Sequence, residues 1–333
     1  MVGEVPEKNQ KNQGASLIGK KAQFCCYCSV PTPAFESQAT AFSVPNALLL
    51  AQASQAAYLD EAGARAKMAQ LGLPTFKWID LCDGLFDDLY AFAASDGGFV
   101  ILAFRGTKSF QNWMSDLYST PARFSWLFEG APEVGDVHAG FGHALRDAWN
   151  KIVDAVEAIA PRPHGDIDDP SLAQQPSFWI TGHSLGGALA AISGAAFSML
   201  PSDSLHPDGV IRPVSGIYTF GQPRIGLHGF CGHYDHMLQP KTFRFINKRD
   251  LVPRVPFRGW DSDDVGQVIH FTDDNTPERE GSQWTSLLAR TFQSLTDAFE
   301  MFTGLRQDVG DHSMDGYQQL VQNQAAALSK LKF

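Results

Sequence analysis

Hydrophobic and polar positions change period several times along this chain, and each change marks an element. Behind Pro45, the apolar residues Leu48, Leu49, Ala53, Ala56 and Ala57 recur at helical spacing and predict a helix from Val44. Residues 78–81 and 89–93 read as short strands, and Asp96-Gly97-Gly98 as the turn of a hairpin. Phe99–Phe104 is an unbroken apolar run, as expected of a strand buried on both faces. Residues 141–159 predict an amphipathic helix, and residues 161–176 a surface loop. A strand at 178–181 then runs into a tight turn and a small-residue helix. Strands follow at 216–220 and 242–246 with a helix between them, and residues 265–271 read as a further strand or hairpin arm. Residues 284–305 and the segment from Ser313 onward are helical.

Strands alternating with helices give the class: α/β, with a mostly parallel central sheet covered by helices on both faces. Neither a repeat nor an internal linker interrupts the pattern. The expected organisation is one domain over residues 23–333 behind a disordered, Gln/Lys/Asn-rich segment, residues 1–22.

The turn after the strand at 178–181 carries the sharpest chemical signal. Gly182-His183-Ser184-Leu185-Gly186 matches G-x-S-x-G, the pattern of a nucleophile elbow. A serine at a strand-to-helix corner sits in strained backbone with its hydroxyl clear of the sheet. Residues two before and two after it crowd together and must be nearly without side chains. The helix that follows begins with free N–H groups, so Leu185 N–H is placed to bind a developing oxyanion.

A serine nucleophile needs a base and an orienting acid. In an elbow of this type they follow the serine in the chain, acid before histidine. His312, in the loop Gly310-Asp311-His312-Ser313 ahead of the last helix, is the preferred base over His206, His228, His233, His236 and His270. Asp250 is the preferred acid, because it stands just past the carboxyl end of a strand, where an α/β site collects its residues. Thr107, at the end of the buried strand in Phe104-Arg105-Gly106-Thr107, offers a second oxyanion donor. The group His228, Cys231, His233, Asp235 and His236 invites a metal reading, but its spacing fits no zinc pattern. His270, in an apolar run, reads as a core or pocket-edge histidine.

Composition narrows the setting more than the chemistry. A hydrophobic share of 44% and a charged share of 19% fit a globular protein, and the net charge of -10 argues against nucleic-acid binding. No apolar segment follows Met1 and no run is long enough to span a bilayer. That favours a cytoplasmic chain, with export by a non-standard route as the other setting. Five cysteines, three of them in Cys25-Cys26-Tyr27-Cys28, make no disulfide framework.

Taken together the motifs resemble the class 3 lipases, the fungal triacylglycerol lipase type of α/β-hydrolase. The matching pieces run in family order: Phe104 to Thr107, Asn112 to Leu117, Val137 to Phe141, Gly182 to Ala190, Thr219 to Gly226, Asn247 to Pro253, and Asp311-His312. The resemblance implies Ser184 as nucleophile, His312 as base, Asp250 as orienting acid, and Thr107 with Leu185 as the oxyanion hole. It also implies a lid over residues 109–116, where Phe110, Trp113 and Met114 would turn outward at a lipid surface. Phe124, Trp126, Leu127 and Phe128 could extend that lipid-facing rim or the acyl pocket. The implied activity is ester hydrolysis through an acyl-enzyme without metal or organic cofactor. The implied partners are a lipid or other ester substrate and, transiently, a lipid interface. Triacylglycerol is the foremost substrate, with phospholipid (phospholipase A1) or a feruloyl-type ester as alternatives. A catalytically silent lipase-like signalling or binding protein is the alternative outside enzymes. The secreted members' signal peptide and disulfides are not evident here.

Overall fold

A computed structural model of the chain describes residues 34–81, 89–107, 121–159, 175–201, 213–256, 261–279 and 311–331. Several sequence-based expectations lie outside these residues: the N-terminal segment, the cysteine cluster, the lid, the 161–176 loop but for its last two residues, His206 and the 284–305 helix.

The described elements run in this order. Helices α1 (Val44–Ala56) and α2 (Glu61–Gln70) precede strands β1 (Thr75–Asp80), β2 (Tyr90–Ser95), β3 (Phe99–Phe104), β4 (Pro121–Arg123) and β5 (Asp136–His138). Helix α3 (Ala139–Ile159), β6 (Ser177–His183), α4 (Leu185–Met199), β7 (Val214–Phe220), β8 (Gly226–Leu227) and α5 (His228–Leu238) come next. Strands β9 (Thr242–Asn247), β10 (Ser262–Asp263), β11 (Gln267–Phe271) and β12 (Pro277–Arg279) lead to α6 (Met314–Asn323).

The main sheet has eight strands in the order β1-β2-β3-β6-β7-β9-β11-β12. Its five central strands, β3 to β11, are parallel to one another, while β1, β2 and β12 pair antiparallel at the two sides. The 265–271 segment is both things expected of it: β11 runs parallel to β9 and forms a hairpin with β12.

Alternation along β3 shows why its run had to be apolar throughout. Val100, Leu102 and Phe104 point into a core shared with α3, α4 and α5, whereas Phe99, Ile101 and Ala103 point into a second core shared with α1, α2 and α6. All six are buried. At ~1.5–3 kcal/mol for each large side chain, both faces contribute to holding this strand at the centre. Helix α1 starts where the Ser43 hydroxyl accepts the Asn46 N–H, with Pro45 in its first turn.

Two parts of the fold were not read from the sequence. Helix α2 buries only Ala64 and Met68, too few apolar positions to set a period. A second antiparallel sheet, β10-β8-β5-β4, is built from strands of two or three residues, below the length at which alternation can be recognised.

Candidate active site

The residue between β6 and α4 is Ser184, with φ 59° and ψ -129°. Such backbone is uncommon for a residue with a Cβ and marks a strained corner. The two motif glycines make the corner feasible. A Cβ on Gly182 would stand 2.2 Å from the carbonyl oxygen of Gly186, and one on Gly186 would stand 2.4 Å from that of Phe104. The start of α4 therefore lies directly on the end of β3. That contact brings the segment after β3 against the serine: a Cβ on Gly106 would come within 3.2 Å of the Ser184 Cβ. Thr107 follows Gly106, and Leu185 is the first residue of α4, where helix N–H groups lack intrahelical partners. Both backbone segments expected to line an oxyanion site thus meet at Ser184.

The three residues singled out for nucleophile, base and acid come together. His312 Nε2 lies 2.8 Å from Ser184 Oγ, and His312 Nδ1 lies 2.8 Å from Asp250 Oδ2. Ser184, Asp250 and His312 are 2%, 1% and 9% exposed, so their charges and dipoles act in a water-poor environment. A carboxylate on Nδ1 requires an N–H there, which leaves Nε2 bare to accept the serine proton.

Asp250 is held by more than the histidine. Its Oδ1 accepts the Val252 N–H at 2.9 Å, and its Oδ2 accepts the hydroxyl of Tyr317 at 2.5 Å. The Tyr317 oxygen in turn accepts the Asn247 N–H at 3.0 Å. Burial, reinforced by the Asp250 charge and hydrogen bond, pushes the Tyr317 phenol well above its ordinary range, so it remains a donor. Further out, Arg244 is 1% exposed and donates to Asp264 and to the carbonyls of Gln222 and Pro253. Arg224 donates to the carbonyls of Arg254 and Pro256 at 2.6 and 2.7 Å. The two guanidinium groups pin the stretch after Asp250 to the turn after β7.

Tyr317 was not found from the sequence. It stands 67 residues from Asp250 in the chain, and a lone tyrosine on an amphipathic helix carries no local signal of such a bond. Other expectations sort plainly. His270 is buried and its Nε2 meets the Lys248 carbonyl at 2.7 Å, a satisfied core histidine. On α5, His228, His233 and His236 are exposed, whereas Cys231 is buried and donates to the carbonyls of Gly226 and Asp263. Among the described residues, no three groups able to ligate a metal converge. Phe124, Leu127 and Phe128 are buried in the core rather than set on a rim, and only Trp126 of that group is exposed, at 71%.

Residues 101–260 match the family model of class 3 lipases. Over that span the chain is similar to the class 3 lipases. The matched span includes Ser184 and Asp250 and ends before His312. The chain is 30% identical over 182 residues to a lipase of the fungus Rhizomucor miehei, covering 54% of this chain and 43% of that one. It is 38% identical over 105 residues to the toxin TseL of Vibrio cholerae, covering 32% of this chain and 14% of that one. The chain therefore spans less than half the length of either relative. A solved triacylglyceride lipase of Rhizomucor miehei superposes with a TM-score of 0.52 at 24% identity, covering 76% of this chain and 91% of that one. That likeness shows the fold, an α/β-hydrolase. No helix among the described residues is long and apolar enough to cross a membrane.

Proposed function

We propose that this chain is a class 3 lipase, a serine carboxylic-ester hydrolase acting on lipid esters, with triacylglycerol as the foremost substrate. The observation that carries the reading is the hydrogen-bonded chain Ser184–His312–Asp250 at the N-terminus of a helix. In this mechanism Ser184 Oγ attacks the ester carbonyl while His312 Nε2 takes its proton. Asp250 fixes the imidazole tautomer and stabilises the imidazolium that forms. The N–H groups of Leu185 and Thr107 bind the oxyanion, and the dipole of α4 favours the same negative charge. His312 then returns the proton to the departing alcohol, and water, activated by the same base, releases the acid from Ser184.

Phe110, Trp113 and Met114 belong to this reading as the lid over the acyl site. A rate that climbs steeply as a short-chain ester passes its solubility limit is the signature expected of it. The central test pairs an ester panel, run with and without an oil–water interface, with the variant Ser184→Ala. The wild type should hydrolyse emulsified triacylglycerol and take up a fluorophosphonate label, and Ser184→Ala should do neither while keeping its fold. Hydrolysis by a clean Ser184→Ala preparation would refute the nucleophile. Preference for phospholipid or phenolic esters would move the substrate assignment, and a wild type that neither turns over nor labels would make the chain a silent module.

A further inference from the structure

The residue just before the nucleophile is itself a histidine. His183 is 5% exposed, and its ring lies 4.7 Å, centroid to centroid, from that of His312. Its Nε2 is 2.7 Å from the main-chain carbonyl oxygen of His312. A carbonyl only accepts, so Nε2 carries the hydrogen. On the neutral ring Nδ1 is then bare, and it lies 2.7 Å from the hydroxyl of Tyr58, which must donate to it. The same hydroxyl stands against the segment after β3: a Cβ on Gly106 would come within 2.4 Å of it.

We propose that Tyr58 and His183 are positioning residues, a hydrogen-bonded brace that sets the backbone of His312 and with it the distance from the imidazole to Ser184. The proposal rests on the reading of His312 as the base. The brace runs from Tyr58, just past the end of α1, through the elbow, to the histidine loop. It works on a different part of His312 from Asp250 and Tyr317. Those two fix the ring through Nδ1, whereas the brace fixes the main chain to which the ring is attached. Without it the ring could keep its acid partner and still swing away from the serine.

Neutrality of His183 serves the same end. Burial, and next the neighbouring His312, hold its basicity well below the ordinary histidine range. A charged ring there would put a hydrogen on Nδ1 against the Tyr58 donor. It would also set a cation beside a base that becomes cationic during turnover. A buried histidine with both nitrogens satisfied could be merely structural. Its acceptor, however, is the backbone of the residue whose ring must meet Ser184, and its own Cα is bonded into the elbow.

The test uses His183→Leu, His183→Gln and Tyr58→Phe in the full chain, read by kinetics and by nitrogen NMR of histidine-labelled protein. Removing the donor with leucine should lower kcat by about 100-fold, the cost of a base displaced by about an ångström. KM should stay within about twofold, because no substrate contact is removed. Glutamine, whose amide N–H can reach the same carbonyl, should restore most of the loss. In wild-type protein the His183 resonances, assigned by their disappearance in His183→Gln, should report hydrogen on Nε2 and none on Nδ1. Tyr58→Phe should let the other tautomer appear and lower kcat by about tenfold, a smaller displacement than the leucine variant causes. Full kcat in His183→Leu, or a wild-type ring with its hydrogen on Nδ1, would overturn the proposal. If leucine prevents folding, Tyr58→Phe and the tautomer measurement decide it. The NMR result does not depend on turnover, so loss of the base assignment, seen as an unlabelled Ser184, is distinguishable from failure of the brace.

Discussion

Tyr317→Phe isolates one hydroxyl that is asked to do two jobs. The ring itself is retained, with its packing against Phe220 and His183. What disappears is the donor to Asp250 Oδ2 at 2.5 Å and the acceptor for the Asn247 N–H at 3.0 Å. A hydrogen bond to a charged group is worth about 1.5–3 kcal/mol, and a buried N–H left without a partner costs about 1–3 kcal/mol. The two losses share one oxygen, so a combined destabilisation of about 2–4 kcal/mol is expected, a large part of a typical total of about 5–15. At about 1.5 °C per kcal/mol for a chain of this size, the melting temperature should fall by about 3–6 °C. Turnover should suffer less. His312 Nδ1 and the Val252 N–H both remain on the carboxylate. A loss of about tenfold in kcat is expected, far from the ~10⁴ that follows when a triad acid is itself neutralised. Thermal and urea unfolding, run beside ester kinetics on the same preparations, measure both. A variant that melts and turns over like the wild type would refute the bridge between Asp250 and Asn247. A lower melting temperature with unchanged kcat would leave the hydroxyl a structural role only.

Further outcomes follow from the same geometry. Gly186→Ala would by helix propensity alone stabilise α4 by about 1 kcal/mol, yet its Cβ would stand 2.4 Å from the Phe104 oxygen. The expected result is therefore a lower melting temperature and a rate reduced by more than about 100-fold, and a stabilised, active variant would rule out the close approach of α4 to β3. Asp235, whose carboxylate accepts the Gly266 N–H, is raised to about 6, chiefly by burial. Between the ordinary aspartate value near 4 and about 6 the native chain holds a proton that the unfolded chain has lost, so this group's contribution to stability falls as pH rises through that window. Asp235→Asn keeps an acceptor without the charge and should add about 1–2 kcal/mol at pH 7, with allowance for the screening of a partly exposed group, and little at pH 4. Equal effects at both pH values in urea unfolding would contradict the burial argument.

The sequence made some of this legible for definite reasons. β3 announces itself because a strand buried on both faces is apolar at every position, and β6 because the apolar run Phe178-Trp179-Ile180 leads straight into the elbow. The elbow does so because backbone crowding leaves only glycine at 182 and 186. Asp250 and His312 could be found because this architecture collects them after the serine, at a strand end and in a loop. The residues that support them could not. Tyr58, His183 and Tyr317 acquire meaning only through partners 125, 129 and 67 positions away in the chain. Nothing in their local spacing distinguishes them from core residues. The small sheet escaped notice because strands of two or three residues are too short to show a repeated alternation, and its existence depends on neighbours that fold around α5. The same lack of local signal made Phe124 and its neighbours look like a rim, when the turn they form faces Phe230 inside the core.

The separation of the site's parts along the chain also has a consequence in time. Ser184 and Asp250 are made 128 and 62 residues before His312. A chain growing from its N-terminus can complete the elbow and the strand that bears the acid while it still lacks a proton acceptor. The partner that converts the serine from an ordinary alcohol into a nucleophile is added only 62 residues after the acid, followed five residues later by the tyrosine that steadies that acid. On the proposed reading as an ester hydrolase, the growing chain holds no working triad until the segment that carries His312 has been added.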